Sequence, residues 1–384
     1  MTDIAMQPSG RPAVEPPLAV LLELTHRCPL KCPYCSNPVA LERAREELDT
    51  ATWQRVIDEA AELGALQVHF SGGEPMARSD LPALVRHARA AGHYTNLITS
   101  AVLLDKRRMS ELAEAGLDHV QISLQGADSG IADRVAGLAG AHEKKLAAAS
   151  LVREAGLALT LNAVMHRQNL HQLDAVIDLA VAAGAQRLEV AHVQYYGWAL
   201  ENRAALMPTR AQLAAATRTV EAARARHKGL TIDYVVPDYY AARPKACMGG
   251  WARRFLNVTP SGKVLPCHAA ETMTHLNFER VTERSLAEIW AGSPAFEAYR
   301  GTAWMPEPCQ GCSRAEIDWG GCRCQALALT GDAAATDPAC ALSPHHAEMV
   351  ALAEAESGRE VDAFAYRTLS HRAPRRRETV TSDA

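Results

Sequence analysis

Short apolar runs alternate with longer amphipathic segments from residue 18 to residue 193. The apolar runs predict strands over residues 18–24, 66–70, 94–99, 119–124, 158–164 and 187–193. The segments between them predict helices over residues 49–63, 80–91, 106–115, 143–155 and 170–183, most of which end at a glycine. Such alternation predicts an α/β fold with a parallel sheet and outer helices. Six units are too few for a closed eight-stranded barrel and enough for an open, partial TIM-type barrel.

The pattern changes after the sixth predicted strand. One more helix is predicted over residues 208–228 and one more strand near residues 230–235. From Pro237 the sequence is rich in Gly, Pro and Cys and has little periodicity, which is typical of a region held together by metal ligation. We therefore expect a disordered leader over 1–16, a barrel over 17–236, a cysteine-rich domain over 237–357 and a disordered basic tail over 358–384.

Composition excludes several classes of protein. The net charge of −4 and the pI of about 6.4 give no reason to expect nucleic acid or an anionic membrane as partner. No apolar stretch near the start is long enough to span a membrane, and the first fifteen residues lack the features of a secretion signal. The sequence predicts a cytoplasmic protein, in which the ten cysteines would be reduced thiols.

The cysteines lie in two separate groups. Three occur between Cys28 and Cys35, seven occur between Cys247 and Cys340, and the long middle of the chain has none. Structural thiols would be scattered through the core, so this distribution indicates two metal-binding regions.

The first group is the run Cys28-x3-Cys32-x2-Cys35. Three thiolates on one loop can hold three irons of a cubane cluster and leave the fourth iron open, as a catalytic metal requires. The open iron can chelate the amino and carboxylate groups of a methionine moiety, and Tyr34 suits a ring packed on an adenine or on the cluster. The alternatives are a zinc site with His26 as fourth ligand and a redox dithiol at Cys32 and Cys35. Neither explains why three cysteines are needed.

The loop after the second predicted strand supports the cluster. It reads Ser71-Gly72-Gly73-Glu74-Pro75. Glycines let the backbone approach a ligand closely, while exposed carbonyls and Glu74 can accept hydrogen bonds from an ammonium group. A turn of this kind means little alone. It gains weight because it lies one strand–helix unit after the three cysteines.

These two motifs, in this order, resemble the radical SAM superfamily over about residues 18–192. The resemblance implies a partial (β/α)6 barrel, a [4Fe-4S] cluster and S-adenosylmethionine (SAM), which is cleaved reductively to a 5′-deoxyadenosyl radical. It implies that Gly72, Gly73 and Glu74, in the loop that ends at Pro75, contact the methionine end of SAM. Residues at the ends of the third and fourth strands are further candidate contacts to SAM or substrate: Thr99, Ser100, Ser123 and Gln125.

The second group of cysteines resembles the SPASM extension, which carries two auxiliary iron–sulfur clusters. The family run C-x2-C-x5-C-x3-C is altered here, because Asp318 occupies its third place. A carboxylate can ligate iron and would change the potential and lability of that iron. The close Cys322-x-Cys324 pair leaves cluster type open between [4Fe-4S] and [2Fe-2S]. By resemblance the outer cluster is held by Cys309, Cys312, Asp318 and Cys340, and the inner one by Cys247, Cys267, Cys322 and the spare thiolate of Cys324.

Several further segments resemble the family of PqqA peptide cyclases of pyrroloquinoline quinone biosynthesis: residues 36–38, 96–100, 164–169, 191–200 and 253–260. That family joins a glutamate side-chain carbon to a tyrosine ring within the precursor peptide PqqA. The resemblance implies a small peptide chaperone, PqqD, and a flavodoxin-type electron donor as partners. It also implies a peptide-facing loop after the sixth strand, formed by His192, Gln194, Tyr195 and Tyr196.

Two other functions stay open from the sequence. Another SPASM enzyme that modifies peptides, such as a sulfatase maturase or a thioether-forming enzyme, would share the cofactors and differ in substrate. A zinc-ribbon binding module would explain the cysteines, but it gives no reason for the loop at Gly72 and Gly73.

Overall fold

The computed structural model describes residues 14–368 of the 384-residue chain. Most of the expected leader, residues 1–13, and the end of the expected tail, residues 369–384, lie outside the described residues. Within the described part, no helix is long and apolar enough to cross a membrane.

One sheet of nine strands runs through the described residues. Its order is β7-β6-β5-β4-β3-β2-β1-β8-β9, and all neighbouring strands are parallel except the antiparallel pair β8 and β9. The strands are β1 Ala19–Glu23, β2 Gln67–Ser71, β3 Tyr94–Thr99, β4 His119–Leu124, β5 Ala158–Met165, β6 Arg187–His192, β7 Thr231–Val235, β8 Phe255–Val258 and β9 Val264–Leu265.

Helices connect the parallel strands along the sheet. Asp49 begins the first helix by accepting a hydrogen bond from the Thr52 backbone N–H at 2.8 Å, as the sequence predicts for a capping residue. The helices are α1 Thr50–Glu62, α2 Leu81–Ala90, α3 Lys106–Glu114, α4 Ser129–Ala136, α5 Ala141–Glu154, α6 Leu173–Ala182, α7 Trp198–Glu201, α8 Arg203–Leu206, α9 Arg210–Arg226, α10 Leu286–Gly292, α11 Pro294–Glu297, α12 Ala315–Asp318, α13 Arg323–Thr330 and α14 His346–Ser357.

The predicted partial barrel is confirmed. Each of the six predicted strands is present, and the parallel register from β1 to β6 makes six successive strand–helix units. Helix α4 was not predicted. It is only eight residues long and ends at Gly137, whose φ of 65° breaks the helix before α5 begins.

The cysteine-rich region shares its sheet and its hydrophobic core with the barrel, whereas its sequence predicts a separate domain held together by metal ligation. Its strand β8 pairs in parallel with β1, with Leu256 opposite Val20, so it continues the barrel sheet. Trp290 and Phe296 from α10 and α11 are 2% and 0% exposed and belong to the same hydrophobic core as the barrel. Apolar packing therefore stabilises this region in addition to any metal ligation.

The expectation of a disordered tail from residue 358 is wrong for residues 358–368. This segment leaves α14 and returns to the barrel, where Arg367 is 3% exposed. Its backbone N–H donates to the Lys31 carbonyl at 3.2 Å. Polar composition indicated disorder, but these long-range contacts hold the segment in place.

Candidate active site

A cavity of about 420 Å³ opens at the carboxyl ends of the parallel strands. This is the end of a barrel at which catalytic loops meet. Its lining includes the predicted site residues of the first four units and of the sixth, except Glu74, Pro75 and Tyr195, and it includes none of the predicted ligands of the C-terminal region. The lining includes Cys28, Cys32, Tyr34, Cys35, Gly72, Gly73, Thr99, Ser100, Ser123, Gln125, His192, Gln194, Tyr196, His268 and Arg367.

The three cysteines of the first motif follow β1 on one loop. Burial raises the pKa of the Cys28 thiol to about 12 and that of Cys32 to about 11, and it also raises the pKa of Cys35. The positive charge of Arg367 opposes this increase at each of the three thiols. Buried thiols of this kind are poor acids in water, so a metal must displace their protons to bind them.

His26 is not placed as a fourth metal ligand. It does not line the cavity, and its Nδ1 accepts a hydrogen bond from the Glu42 backbone N–H at 3.0 Å. Its Nε2 lies 3.9 Å from the Glu23 carboxylate. The cavity thus presents three thiols from this loop, which fits a cluster with one open iron and does not fit a closed four-ligand zinc site.

The two glycines let the loop after β2 lie directly on the cysteine loop. A Cβ at Gly72 would collide with the Thr25 carbonyl oxygen, and one at Gly73 would lie 2.5 Å from the Arg27 carbonyl oxygen. The backbone N–H of Gly73 donates to Thr25 at 2.6 Å and that of Glu74 to Arg27 at 2.7 Å. Glycine is therefore required at these two positions because the loop packs against the backbone of the cysteine loop, and both glycines also line the cavity.

Glu74 is fully buried beneath the cavity and does not line it. Its carboxylate accepts hydrogen bonds from Thr99 Oγ1 at 2.6 Å, from the Ser100 backbone N–H at 2.9 Å and from the Ser100 hydroxyl. The Met76 N–H is a further donor at 3.1 Å. Glu74 thus joins the loop after β2 to the end of β3, while Pro75 is buried beside it.

Tyr34 belongs to a chain of polar contacts on one wall. Gln125 Nε2 donates to the Tyr34 hydroxyl at 2.9 Å, and Oε1 of the same side chain accepts from Lys145 Nζ. Lys145 also donates to the Ser123 carbonyl at 2.9 Å. Burial lowers the pKa of Lys145 to about 8. This chain fixes the orientation of the Tyr34 ring at the edge of the cysteine loop.

The loop after β6 forms the opposite wall. His192 is 3% exposed, and neither of its ring nitrogens has a protein hydrogen-bond partner. Burial lowers the pKa of His192 to about 4, so the ring is neutral near pH 7. Gln194 and Tyr196 also line the cavity. Tyr195 does not, because its ring packs on Tyr239 with centroids 5.0 Å apart.

Four cysteines of the C-terminal region meet behind this wall. Their thiols lie within hydrogen-bond reach of one another in four pairs, which are Cys247–Cys267, Cys247–Cys322, Cys267–Cys324 and Cys322–Cys324. Tyr196 is buried against them, and its hydroxyl lies 2.7 Å from Nε2 of His268, the residue after Cys267. This inner group therefore lies directly behind the cavity, separated from it by Tyr196 and His268.

The outer group lines a second, smaller cavity. It consists of Cys309, Cys312, Asp318 and Cys340. Polar groups surround the sulfurs: Thr336 Oγ1 lies 3.6 Å from Cys309, and the Arg314 N–H lies 3.5 Å from Cys312. The Asp318 carboxylate accepts from the Gly320 N–H and from Arg314 Nε, each at 3.3 Å. A carboxylate and three thiols at one cavity are a suitable donor set for iron.

Sequence reasoning missed the buried cations Lys145 and Arg367. Lys145 occupies an ordinary helical position on α5, and Arg367 lies in a polar tail. Neither belongs to a local motif. His268 was also missed, although its position next to Cys267 was a usable signal.

Family models match two parts of the chain. The Radical SAM superfamily matches residues 22–180, and an iron–sulfur cluster-binding domain, SPASM, matches residues 247–313. Among solved structures, Streptococcus suis SuiB bound to S-adenosylmethionine superposes with a TM-score of 0.69 at 21% identity, covering 82% of this chain and 75% of that chain. The chain anSMEcpe with bound AdoMet superposes with a TM-score of 0.61 at 16% identity, covering 89% and 92%. At these identities the superpositions show a shared fold.

Relatives of known name are much more similar. A PqqA peptide cyclase of Rhodopseudomonas palustris is 66% identical over 356 residues, which cover 92% of this chain and 94% of that protein. One from Granulibacter bethesdensis is 65% identical, covering 87% and 89%. One from Xanthomonas campestris is 59% identical, covering 96% and 99%.

Proposed function

The chain belongs to the PqqA peptide cyclases, a family of radical SAM enzymes with a SPASM domain, and on that premise we propose that it links a glutamate to a tyrosine in the peptide PqqA. The product is a carbon–carbon crosslink made during pyrroloquinoline quinone biosynthesis. One observation carries this proposal: the cavity with three thiols shares a wall with the inner cysteine group. Radical formation and removal of the surplus electron can therefore occur side by side.

Bound cofactors supply the radical chemistry. A [4Fe-4S] cluster with SAM supplies the 5′-deoxyadenosyl radical that removes a hydrogen atom from glutamate, and an auxiliary cluster supplies the acceptor for the electron lost when the coupled ring becomes aromatic again. In this proposal Cys28, Cys32 and Cys35 hold the first cluster. The protein's own contribution is to orient these groups and to exclude water from the cavity.

The SAM site in this proposal is formed by the first four strand ends. The contacts proposed are Tyr34, Gly72, Gly73, Ser100, Ser123 and Gln125, which line the cavity together, with Glu74 and Pro75 supporting them from beneath. Glu74 holds Thr99 and Ser100 by charge-assisted hydrogen bonds, and Lys145 holds Gln125. The hydrogen bond from Gln125 then holds the Tyr34 hydroxyl in place at the cavity wall.

Two auxiliary clusters are proposed in the C-terminal region. Both are proposed as [4Fe-4S] clusters, with [2Fe-2S] as the alternative for the inner one. The inner cluster would be held by the four cysteines that meet behind Tyr196, and the outer one by the three cysteines and Asp318 at the smaller cavity. Their ligands would be Cys247, Cys267, Cys322 and Cys324 for the inner cluster, and Cys309, Cys312, Asp318 and Cys340 for the outer cluster.

The peptide is proposed to contact the wall after β6. His192 is buried with two unpartnered ring nitrogens, and such groups are rare in folded proteins unless a ligand satisfies them. Gln194 and Tyr196 lie on the same wall, and Tyr195 supports it through its contact with Tyr239. A neutral His192 could hydrogen-bond a tyrosine hydroxyl or a glutamate carboxyl group of the peptide.

The proposed partners are PqqA, the peptide chaperone PqqD and a flavodoxin-type electron donor. The proposed compartment is the cytoplasm, because all ten cysteines are free thiols and iron–sulfur ligation needs them reduced.

The deciding experiment is an oxygen-free reaction of reconstituted protein with PqqA, PqqD, SAM and a strong reductant, followed by mass spectrometry. We expect the peptide to lose two hydrogen atoms and its fragmentation to show a bond between a glutamate and a tyrosine. Cys28→Ala protein serves as the negative control. Cleavage of SAM without any change in PqqA would contradict the substrate and would leave another SPASM peptide modification as the function.

A further inference from the structure

Residues 361–367, here called the C-terminal strap, lie across the edge of the barrel next to the cysteine loop. Arg134 and Gln168 donate to the Asp362 carbonyl, at 2.5 Å and 3.4 Å. Asn202 Oδ1 accepts from the Ala365 N–H at 2.7 Å, and Asn202 Nδ2 donates to the Ala365 carbonyl at 2.9 Å. The same Nδ2 donates to the Pro33 carbonyl at 3.0 Å, so Asn202 joins the strap to the cysteine loop.

The strap also supports Tyr34 from behind. Its Phe364 packs edge-on against His166 with ring centroids 6.1 Å apart, and His166 packs against Tyr34 at 5.9 Å. The Arg134 guanidinium lies over the Phe364 ring, 5.0 Å from its centroid. The Tyr34 ring is therefore held between Gln125 on the cavity side and a row of rings that ends in the strap.

Arg367 makes the direct connection to the cysteine loop. Its guanidinium donates to the carbonyls of His26, Cys28 and Leu30 at 3.3, 3.2 and 3.4 Å, and its backbone N–H donates to Lys31 at 3.2 Å. One residue thus contacts the loop before, at and after its first cysteine. Because the side chain is 3% exposed and lines the main cavity, its charge is poorly screened by water.

The charges near the three thiols differ in reach. Glu74 lies near Cys28, and Lys145 lies near both Cys28 and Cys32. Arg367 lines the same cavity as Cys28, Cys32 and Cys35, and its positive charge favours the thiolate form of each. The positive charge of Arg367 beside the cysteine loop stabilises the more negatively charged of any two states of a group held by these thiols.

We propose that Arg367 is a positioning residue of the radical SAM cluster, which fixes the cysteine loop and stabilises the reduced cluster by its buried charge. This inference rests on the proposed function only in requiring that Cys28, Cys32 and Cys35 hold a redox-active cluster. Reduction adds one negative charge to a cluster, so a fixed cation beside it raises the reduction potential. Without that cation the cluster accepts its electron less readily, and the bond between sulfur and C5′ of SAM is cleaved more slowly.

The test compares Arg367→Gln and Arg367→Lys in anaerobically reconstituted full-length protein, with SAM and without PqqA. The midpoint potential is measured by redox titration followed by electron paramagnetic resonance, and 5′-deoxyadenosine is measured by chromatography. We expect Arg367→Gln to lower the potential of the SAM-responsive cluster and to slow SAM cleavage by about 10- to 100-fold, as removal of an outer-shell partner does in metal sites. The potentials of the auxiliary clusters should not change, which provides an internal reference.

Arg367→Lys separates the charge from the hydrogen bonds. Lysine keeps a positive charge but cannot reproduce the guanidinium fork, so we expect a potential near that of the parent protein with slower SAM cleavage. Should Arg367→Gln fail to retain the cluster, Arg367→Lys with a full cluster and the parent potential would still support the inference. Arg359→Gln is the matched control, since Arg359 is exposed just before the C-terminal strap and its one side-chain ion pair among the described residues is with Glu356 at 3.5 Å.

The inference is overturned if Arg367→Gln retains the iron content, cluster potential and SAM cleavage of the parent protein. It is also overturned if Arg359→Gln produces the same changes. Because no peptide is present, a failure to crosslink PqqA would reject the proposed substrate and leave this result unaffected.

Discussion

Asp318 differs from every other proposed iron ligand because it offers oxygen instead of sulfur. It lies at the outer cavity, with its carboxylate held by Gly320 and Arg314. That cavity shares no lining residue with the cavity that holds the three thiols of the first motif. Its role should therefore be separable from the cleavage of SAM.

We expect Asp318→Ala to leave formation of 5′-deoxyadenosine largely intact and to abolish the crosslinked peptide, because the surplus electron loses its route out. Cys28→Ala should abolish both products, because the first cluster loses a ligand. Both products are measured in one reaction by chromatography and mass spectrometry. Equal loss of both in Asp318→Ala would show that the outer cluster is only structural.

Glu74 gives a prediction about stability. Four donors surround its carboxylate, and Glu74→Gln replaces one oxygen by an NH₂ group that cannot accept from them. Leaving buried donors unsatisfied costs about 1–3 kcal/mol each. We expect a lower midpoint of thermal unfolding and weaker SAM binding, whereas Glu62→Gln, at an exposed position on α1, should change neither. An unchanged midpoint in Glu74→Gln would contradict this role.

The sequence predicted those site residues that lie in local motifs. Three cysteines on one loop and two adjacent glycines are recognisable because their spacing alone defines the chemistry. The partners of Glu74 could not be assigned in the same way, because Thr99 and Ser100 reach it only when β3 lies next to β2. Lys145 and Arg367 likewise gain their roles from folding, since each is separated from its partners by tens or hundreds of residues.

Strand β8 joins the two halves of the molecule. It pairs with β1, continues into β9, and lies in sequence between Cys247 and Cys267. The sequence did not predict this strand, because it has four residues and follows a segment without periodicity. Strand β1 directly precedes the loop of Cys28, Cys32 and Cys35. Because β8 pairs with β1, it connects the region of the inner cysteine group to the strand that leads into that loop.

This pairing predicts a large effect for one buried leucine. Leu256 on β8 is 0% exposed, and replacing it by alanine leaves a cavity between the barrel and the C-terminal region. We expect Leu256→Ala to lower the free energy of unfolding by about 2–5 kcal/mol. Leu66→Ala, at a leucine that is 64% exposed, should have little effect. Denaturant titration measures both, and equal effects would argue against a shared core.

Two segments from the C-terminal part of the chain contact β1 or the cysteine loop that follows it, and both contacts help to form the site. The cysteine-rich region returns through β8, and the C-terminal strap returns through Arg367. Alternation of strands and helices is a local property, which is why the six barrel units could be predicted. The β8–β1 pairing and the contacts of Arg367 both join residues that are far apart in sequence, so the hydrophobic periodicity could not predict them. Arg367 also lies in a segment whose composition indicated disorder.

Buried neutral histidines make the folded chain sensitive to acid. Burial lowers the pKa of His166 to about 3 and the pKa values of His69 and His192 to about 4. Below the ordinary value of about 6.5, the unfolded chain binds protons at these residues while the folded chain does not. The stability that each contributes is therefore complete above pH 6.5 and is lost as the pH falls, by about 1.4 kcal/mol per pH unit.

We expect the midpoint of thermal unfolding to fall between pH 7.5 and pH 5.5 in the parent protein, and to fall less in His166→Gln, which has no proton to gain there. His171→Gln, at an exposed histidine, is the matched control and should keep the parent's dependence. Comparing variants under identical conditions removes the contribution of acid loss of the clusters, which all of them share. If the unfolding midpoint of His166→Gln depends on pH in the same way as that of the parent, then burial of neutral His166 does not contribute to the acid sensitivity of the folded chain.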